Sequence, residues 1–147
     1  MSLKEQLLEE LKNAMKEKDS VKKNTVQMAR AAILQVEKDN RITLDDDGII
    51  DVIAKEVKKR RDVLPDYEKS GRQDLIDSLK AEIDVLLQYL PQQLSEEELE
   101  AIVRKAVQDT GAASAKDMGR IMQAVMPQVK GRADGKMINA MVKKIIG

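Results

Sequence analysis

Seven residues near the end of the chain, GRADGKM (Gly131 to Met137), combine glycine, acid and base much as a phosphate-binding loop does. That chemistry would be a cradle of backbone amides with a lysine on the terminal phosphates. The spacing excludes it. Three residues rather than four separate Gly131 from Gly135, and Met137 stands where a magnesium-binding Ser or Thr is needed. The stretch also follows a helical pattern rather than a strand. A turn between helices accounts for most of it. Pro127, Gly131 and Gly135 break the periodicity, the glycines supply positive φ, and Asp134 caps the helix that resumes. A turn needs no cations, yet Lys130, Arg132 and Lys136 crowd this one, and Lys143 and Lys144 follow. From Pro127 onward there are five cations against one anion, Asp134. With the first amides and the dipole of the last helix they form a candidate phosphate-binding edge. The alternative is solvated surface, with Lys143 and Lys144 as ordinary partners of a helix C-terminus.

Little else in the chain is reactive. Cys and His are absent, which excludes disulfides, thiolate zinc sites, cysteine nucleophiles and the usual neutral-pH general base. No nucleophile–base pair stands out, so no catalytic residue, metal or cofactor is expected. Asp45, Asp46 and Asp47 lack the spacing of a calcium loop and read as a helix start. The run Lys58 to Arg61 reads as a solvated helix face, with RNA contact as the alternative. Tyr67 and Tyr89 are the only aromatics, so single-stranded bases would find no stacking platform. A nucleic-acid partner would be structured RNA, met through phosphates and shape. The formal net charge is zero, so the whole molecule exerts no strong pull on a polyanion. Residues 1–30 contain no charge-free apolar run long enough for a signal peptide or a membrane span. Together with the missing cysteines, this makes a cytoplasmic, non-membrane protein the expectation.

The elements that must position these residues are helices nearly throughout. Leu3, Leu7, Leu8, Leu11 and Met15 line a first helix, with Ser2 and Glu5 as a capping box. Val21, Met28, Ala29, Ala32, Ile33 and Val36 line a second, capped by Asp19 or Ser20. A third starts at Asp45 to Asp47 and carries Ile49, Ile50, Ile53, Val57 and Leu64. Pro65 predicts a kink or stop in it. Leu75, Leu79, Ile83, Leu86 and Leu90 then form a seam facing another helix, closed by Pro91. Ser95 with Glu98 makes a further capping box, with Leu99, Ile102, Val103 and Ala106 facing inward and Gly111 as the stop. Ser114 with Asp117 starts the next helix, lined by Met118, Ile121, Met122 and Val125 and ended by Pro127. The last helix carries Ile138, Met141, Val142 and Ile145. The expected fold is all-α, with an N-terminal helical domain plus linker helix over 1–90 and a three-helix domain over 91–147.

Two stretches, LPQQLSEEEL (Leu90 to Leu99) and AASAKDMGRIMQAVMPQVKGRADGKMINAMV (Ala112 to Val142), resemble the YqeY-like family. The opening SLKEQLLEELKNAMKEKD fits the same layout. That family shares its C-terminal module with the tail of the B subunit of the glutamine-dependent aminoacyl-tRNA amidotransferase. The resemblance implies two small helical bundles joined by a long, partly helical linker. It also implies a module that helps hold the tRNA body, with Lys130, Gly131, Arg132, Asp134 and Gly135 in the signature loop. A label such as carbon–nitrogen ligase with glutamine as amido donor would come from this shared module. The kinase-like domain that activates the carboxylate and the amidase that releases ammonia have no counterpart in 147 residues. The expectation is therefore a non-catalytic adaptor binding tRNA or another structured RNA. The alternatives are a protein-interaction module and an accessory subunit of an enzyme whose active site lies in other chains.

Overall fold

Helical periodicity is realised along the whole chain. The computed structural model describes all 147 residues and contains seven α-helices, one 3-10 turn and no strand. The fold is all-α. Its helices fall into two units, Met1–Leu90 and Pro91–Gly147.

The first unit packs α1 (Leu3–Glu17), α2 (Ser20–Asn40), α3 (Asp46–Ser70) and α4 (Gln73–Leu87). Side-chain caps start the first three of them. Ser2, Asp19 and Asp45 accept the amides of Glu5, Lys22 and Gly48. Asp46 adds a tertiary cap, its Oδ1 accepting the Leu3 amide at 3.0 Å. The core is aliphatic, built from residues such as Leu7, Val26, Ile33, Ile49, Ile53 and Leu86, with Tyr89 beside them. The seam helix α4 packs on α2 and α3 within this unit. It buries Ile76, Ile83 and Leu86, whereas Leu75, Leu79 and Leu90 are only half-buried.

Three expectations need correction here. In α1 the buried face is Leu7, Leu11 and Ala14, while Leu8 and Met15 are exposed. In α2 it is Thr25, Val26, Ala29 and Ile33, while Val21 and Met28 are exposed. Small side chains such as Ala14 and Ala29 lie where the helices approach most closely, which turns the bulkier Leu8, Met15 and Met28 outward. Finally, α3 does not stop at Pro65; it runs on to Ser70 and closes on Gly71. Pro65 lies on the exposed side, so water can satisfy the carbonyl that the missing N–H leaves unbonded.

The second unit packs α5 (Glu96–Thr110), α6 (Met118–Val129) and α7 (Gly135–Ile146) around Leu99, Val103, Ile121, Val125, Ile138 and Val142. The capping box of Ser95 and Glu98 is fully formed, and Gly111 ends α5 at φ 67°, a conformation costly for a side chain. Ser114 does not cap α6. A 3-10 turn, Ala115–Asp117, intervenes, and its tighter winding sends the Asp117 amide to the Ser114 carbonyl instead of the hydroxyl. The Asp117 carboxylate reaches back to the Ala113 amide at 3.0 Å. That bond, before the other contacts, holds its carboxyl below the usual range. Nor does α6 end at Pro127. The proline is exposed, and the helix continues to Val129, which fills the core.

Candidate functional site at the turn before the last helix

The turn between α6 and α7 is built by a burial requirement at each end. Val129 and Ile138 are both fully buried, so the chain must reverse in the residues between them. Lys130 leaves the helix with φ −54° and ψ 122°, and Gly131 takes φ 73°, open to glycine at no steric cost. The amides of Arg132 and Ala133 both return to the Val129 carbonyl, at 2.8 and 3.2 Å. Asp134 caps α7 by accepting the Lys136 amide at 2.7 Å. Gly135 is the first helical residue and lies outside the positive-φ region, so only Gly131 of the two turn glycines serves in the way expected.

A second segment straps onto this turn, and the sequence reading missed it. The Leu94 amide donates to the Arg132 carbonyl at 2.9 Å. The Gln93 side chain donates to the Gly131 carbonyl at 2.7 Å and to the Pro91 carbonyl at 3.1 Å. Arg132 closes the strap, its Nε donating to the Gln92 carbonyl at 3.1 Å and its Nη1 to the Gln128 carbonyl at 3.4 Å. Leu94 is buried beneath. The available signal was two glutamines next to an apolar residue after Pro91: amide side chains that can bond bare loop carbonyls.

The predicted cations are therefore distributed unevenly. Lys130, Arg132 and Lys136 do meet at the turn, with Arg132 directed toward backbone carbonyls. Lys136 and Lys143 are both exposed and lie seven residues apart on α7. Seven residues make two turns, so they share one face about 10 Å apart. Lys144 points about 100° away from Lys143. It lies in electrostatic range of Glu100, whose carboxyl is held low mainly by a hydrogen bond from Arg104 and in smaller part by Lys144.

Acid stands next to this base. Leu94 is tied to the turn, and the acid-rich start of α5, Glu96 to Glu98, follows within two to four residues. Asp134 also places its carboxylate at the α7 N-terminus, where an incoming phosphate would otherwise bind. The result is a mixed-sign surface.

The other candidates resolve into structure. Asp45 and Asp46 cap helices, and no group of three or more acidic side chains is arranged to hold a metal ion. The run Lys58 to Arg61 is not a uniform solvated face. Lys58 pairs with Asp62, Lys59 pairs with Glu56, and Arg60 is only 7% exposed. Its guanidinium lies 3.5 Å from Glu56, 3.7 Å from Glu82 and 3.8 Å from the Met28 sulfur. No helix is long and apolar enough to cross a membrane.

Residues 4–146 match the Yqey-like protein family. Among curated proteins, the chain is 28% identical over 143 residues to "Altered inheritance of mitochondria protein 41, mitochondrial" of Pyrenophora tritici-repentis, covering 94% of this chain and 77% of that protein. Proteins of the same name from Kluyveromyces lactis and Eremothecium gossypii are 34% and 35% identical, over 70% and 57% of this chain. The aligned part spans 57% and 46% of those two relatives. These names overturn the cytoplasmic expectation, since every one of these relatives is called mitochondrial. The physical reason is plain. Mitochondrial addresses are amphipathic and basic rather than apolar, so a search for a charge-free apolar run does not detect them.

Proposed function

Because the chain belongs to the Yqey-like protein family, we propose that it acts as an accessory protein without an active site of its own, docking other protein chains at the surface around its α6–α7 turn. The observation that carries this reading is the mixed charge of that surface. The basic turn and the acid-rich start of α5 are joined by the Leu94–Arg132 hydrogen bond. A protein partner can match both signs, whereas a polyanion is repelled by one of them. The resemblance of the second unit to the amidotransferase tail supports a place beside an amide-forming enzyme. The activation of the carboxylate and the release of ammonia then belong to other subunits.

The Lys136–Lys143 pair favours a second reading, contact with the phosphates of a structured RNA such as tRNA. Two charge reversals separate the readings. Lys136→Glu with Lys143→Glu weakens either kind of partner. Glu96→Lys with Glu97→Lys weakens a protein matched to both signs but strengthens a polyanion. The measurement is crosslinking of the full-length protein in extract of its own cells, with the captured molecules identified and a nuclease-treated arm. A protein partner lost in both double variants and indifferent to nuclease is the expected result. Capture that is nuclease-sensitive and enhanced by the glutamate reversal would replace the docking reading with the RNA one. In that case the lysine reversal should flatten the log-affinity against log-salt slope by somewhat under about 2 for two lost contacts.

A further inference from the structure

The first unit leaves one helix pair partly uncovered. α1 and α2 run antiparallel, pinned by ion pairs of Lys4 with Glu37 and Lys22 with Glu10, both at 2.6 Å. On α1, Lys4, Leu8, Leu11 and Met15 fall within an arc of about 60°. On α2, Arg30, Leu34 and Glu37 do the same. A cavity of about 90 Å³ opens between the helices, lined by Lys4, Leu7, Arg30, Ile33, Leu34 and Glu37. Leu7 and Ile33 form its buried apolar floor and Leu34, 54% exposed, stands at its α2 side, while Leu8 and Met15, 38% and 54% exposed, continue the Lys4 stripe along α1.

The charge of this groove identifies what it fits. Glu37, its one lining acid, is already satisfied by the Lys4 ammonium at 2.6 Å and the Leu44 amide at 2.8 Å. Arg30, two turns before Glu37 on the same α2 wall, has neither an ion-pair nor a hydrogen-bond partner. Lys23 and Lys38 flank it on α2, seven and eight residues away, so cations recur about every two turns beside the apolar strip. From this geometry we infer that the α1–α2 groove docks an acidic amphipathic helix of a partner protein. Its aliphatic residues would pack between Leu8, Met15 and Leu34, and its carboxylates, two turns apart, would meet Lys23, Arg30 and Lys38. The contact is a helix laid in a groove, in which flexible methionine and leucine side chains adapt to the incoming residues. It extends the docking reading to the first unit: a protein that brings two chains together needs a second face.

The test uses full-length protein and a fluorescein-labelled synthetic peptide of about 18 residues, five helical turns. Leucines at i, i+3, i+4 and i+7 spacing occupy one face of the peptide and glutamates flank them. One control scrambles the leucines around the helix, and another replaces the glutamates by lysine. Saturable binding of the acidic peptide, with a gain in peptide helicity and at least about tenfold preference over both controls, is expected. Arg30→Glu, at a half-buried position, and Leu34→Ser, at an exposed one, should each weaken binding about tenfold while leaving the protein's circular dichroism unchanged. Lys136→Glu with Lys143→Glu should leave peptide binding intact, so failure here is separate from failure of docking at the α6–α7 turn. The inference is overturned if the scrambled peptide binds equally or if Arg30→Glu has no effect. It is also overturned if the face instead closes a dimer that Leu34→Ser dissociates in sedimentation, or binds anionic phospholipid vesicles but not the peptide.

Discussion

The core of the first unit contains charge, and that of the second contains none. Thr25, Glu56 and Arg60 are the buried polar side chains of the protein, and all three belong to α2 and α3. The two buried side-chain polar atoms without a partner, Arg60 Nε and Tyr89 Oη, also belong to the first unit. Burial pushes the Tyr89 hydroxyl up to about 12, with the Glu10 charge adding to the shift. In the second unit every buried side chain is apolar, and polar groups work at the edges as caps and as the strap over the turn. The first arrangement links three helices through one guanidinium, so its weak point lies inside. The second keeps its polar bonds at its edge, so its weak point lies in the strap over the turn, beside the surface that would serve a partner.

Cutting the strap should have the largest effect. A fragment of residues 91–147 is expected to fold as a helical unit, and one starting at Ser95 to be less stable by about 4 kcal/mol. That figure combines about 2 kcal/mol for removing the buried Leu94 side chain with about 1 kcal/mol for each of the lost strap hydrogen bonds, discounted for their partial exposure. Urea titrations of the two fragments followed by circular dichroism make the comparison. Equal midpoints would mean that the strap holds nothing together.

Next comes the buried charge. Arg60→Ala should destabilise the first unit by about 3 kcal/mol, the lower end for a broken buried pair, because Lys59 still reaches Glu56 at 3.0 Å. The transition of the second unit should not move. If Arg60→Met combined with Glu56→Gln and Glu82→Gln recovers most of the loss, the cost lies in the stranded carboxylates rather than in packing.

At the edge of the second unit, Asp134→Ala should cost about 1 kcal/mol by removing the α7 cap, and Asp134→Asn should be nearly silent. Thermal melts of full-length protein test both. An Asn variant that keeps its stability but loses a captured partner would give the charge a docking role.

The smallest effect concerns pH. The Asp117 carboxyl is depressed by its bonds from the Ala113 and Ser114 amides. Its contribution is therefore fully present above the unfolded carboxylate pKa, about 3.9, and fades as pH falls through the lower folded value. Replacing it by Asn should flatten the acid limb of the second unit's stability curve. An unchanged acid limb would show that these amide bonds do not couple to folding.

How much was legible in the sequence differed by the range of the interaction. The starts of α1, α3, α5 and α7 were readable because a cap is a contact over two or three residues. The stop at Gly111 was readable for the same reason. The turn cations were legible as a cluster, since three of them lie within seven residues. Their separate circumstances were not. The bonds of Arg132 to the Gln92 carbonyl and of Leu94 to Arg132 join positions about forty residues apart, and no local pattern specifies that pairing. The prolines misled in the other direction. Pro65 and Pro127 break helices by local rule, but each lies on an exposed side, and Val129 beyond the second is needed in the core.

The sequence by itself determined an all-helical chain, the composition of its aliphatic cores and the caps that start most of its helices. Each of these rests on spacing within a few residues, where backbone geometry alone decides which side chains are neighbours. Tertiary structure decided which side of each helix is buried, making Ala14 core, leaving Leu8 and Met15 exposed and placing Leu34 at the edge of a cavity. It also decided that Arg60, one of four adjacent cations, is buried among carboxylates while Lys59 beside it is 74% exposed at its side chain. Adjacent helical residues point about 100° apart, so the same run of charge meets both water and core. Which residue meets which depends on the helices packed against it.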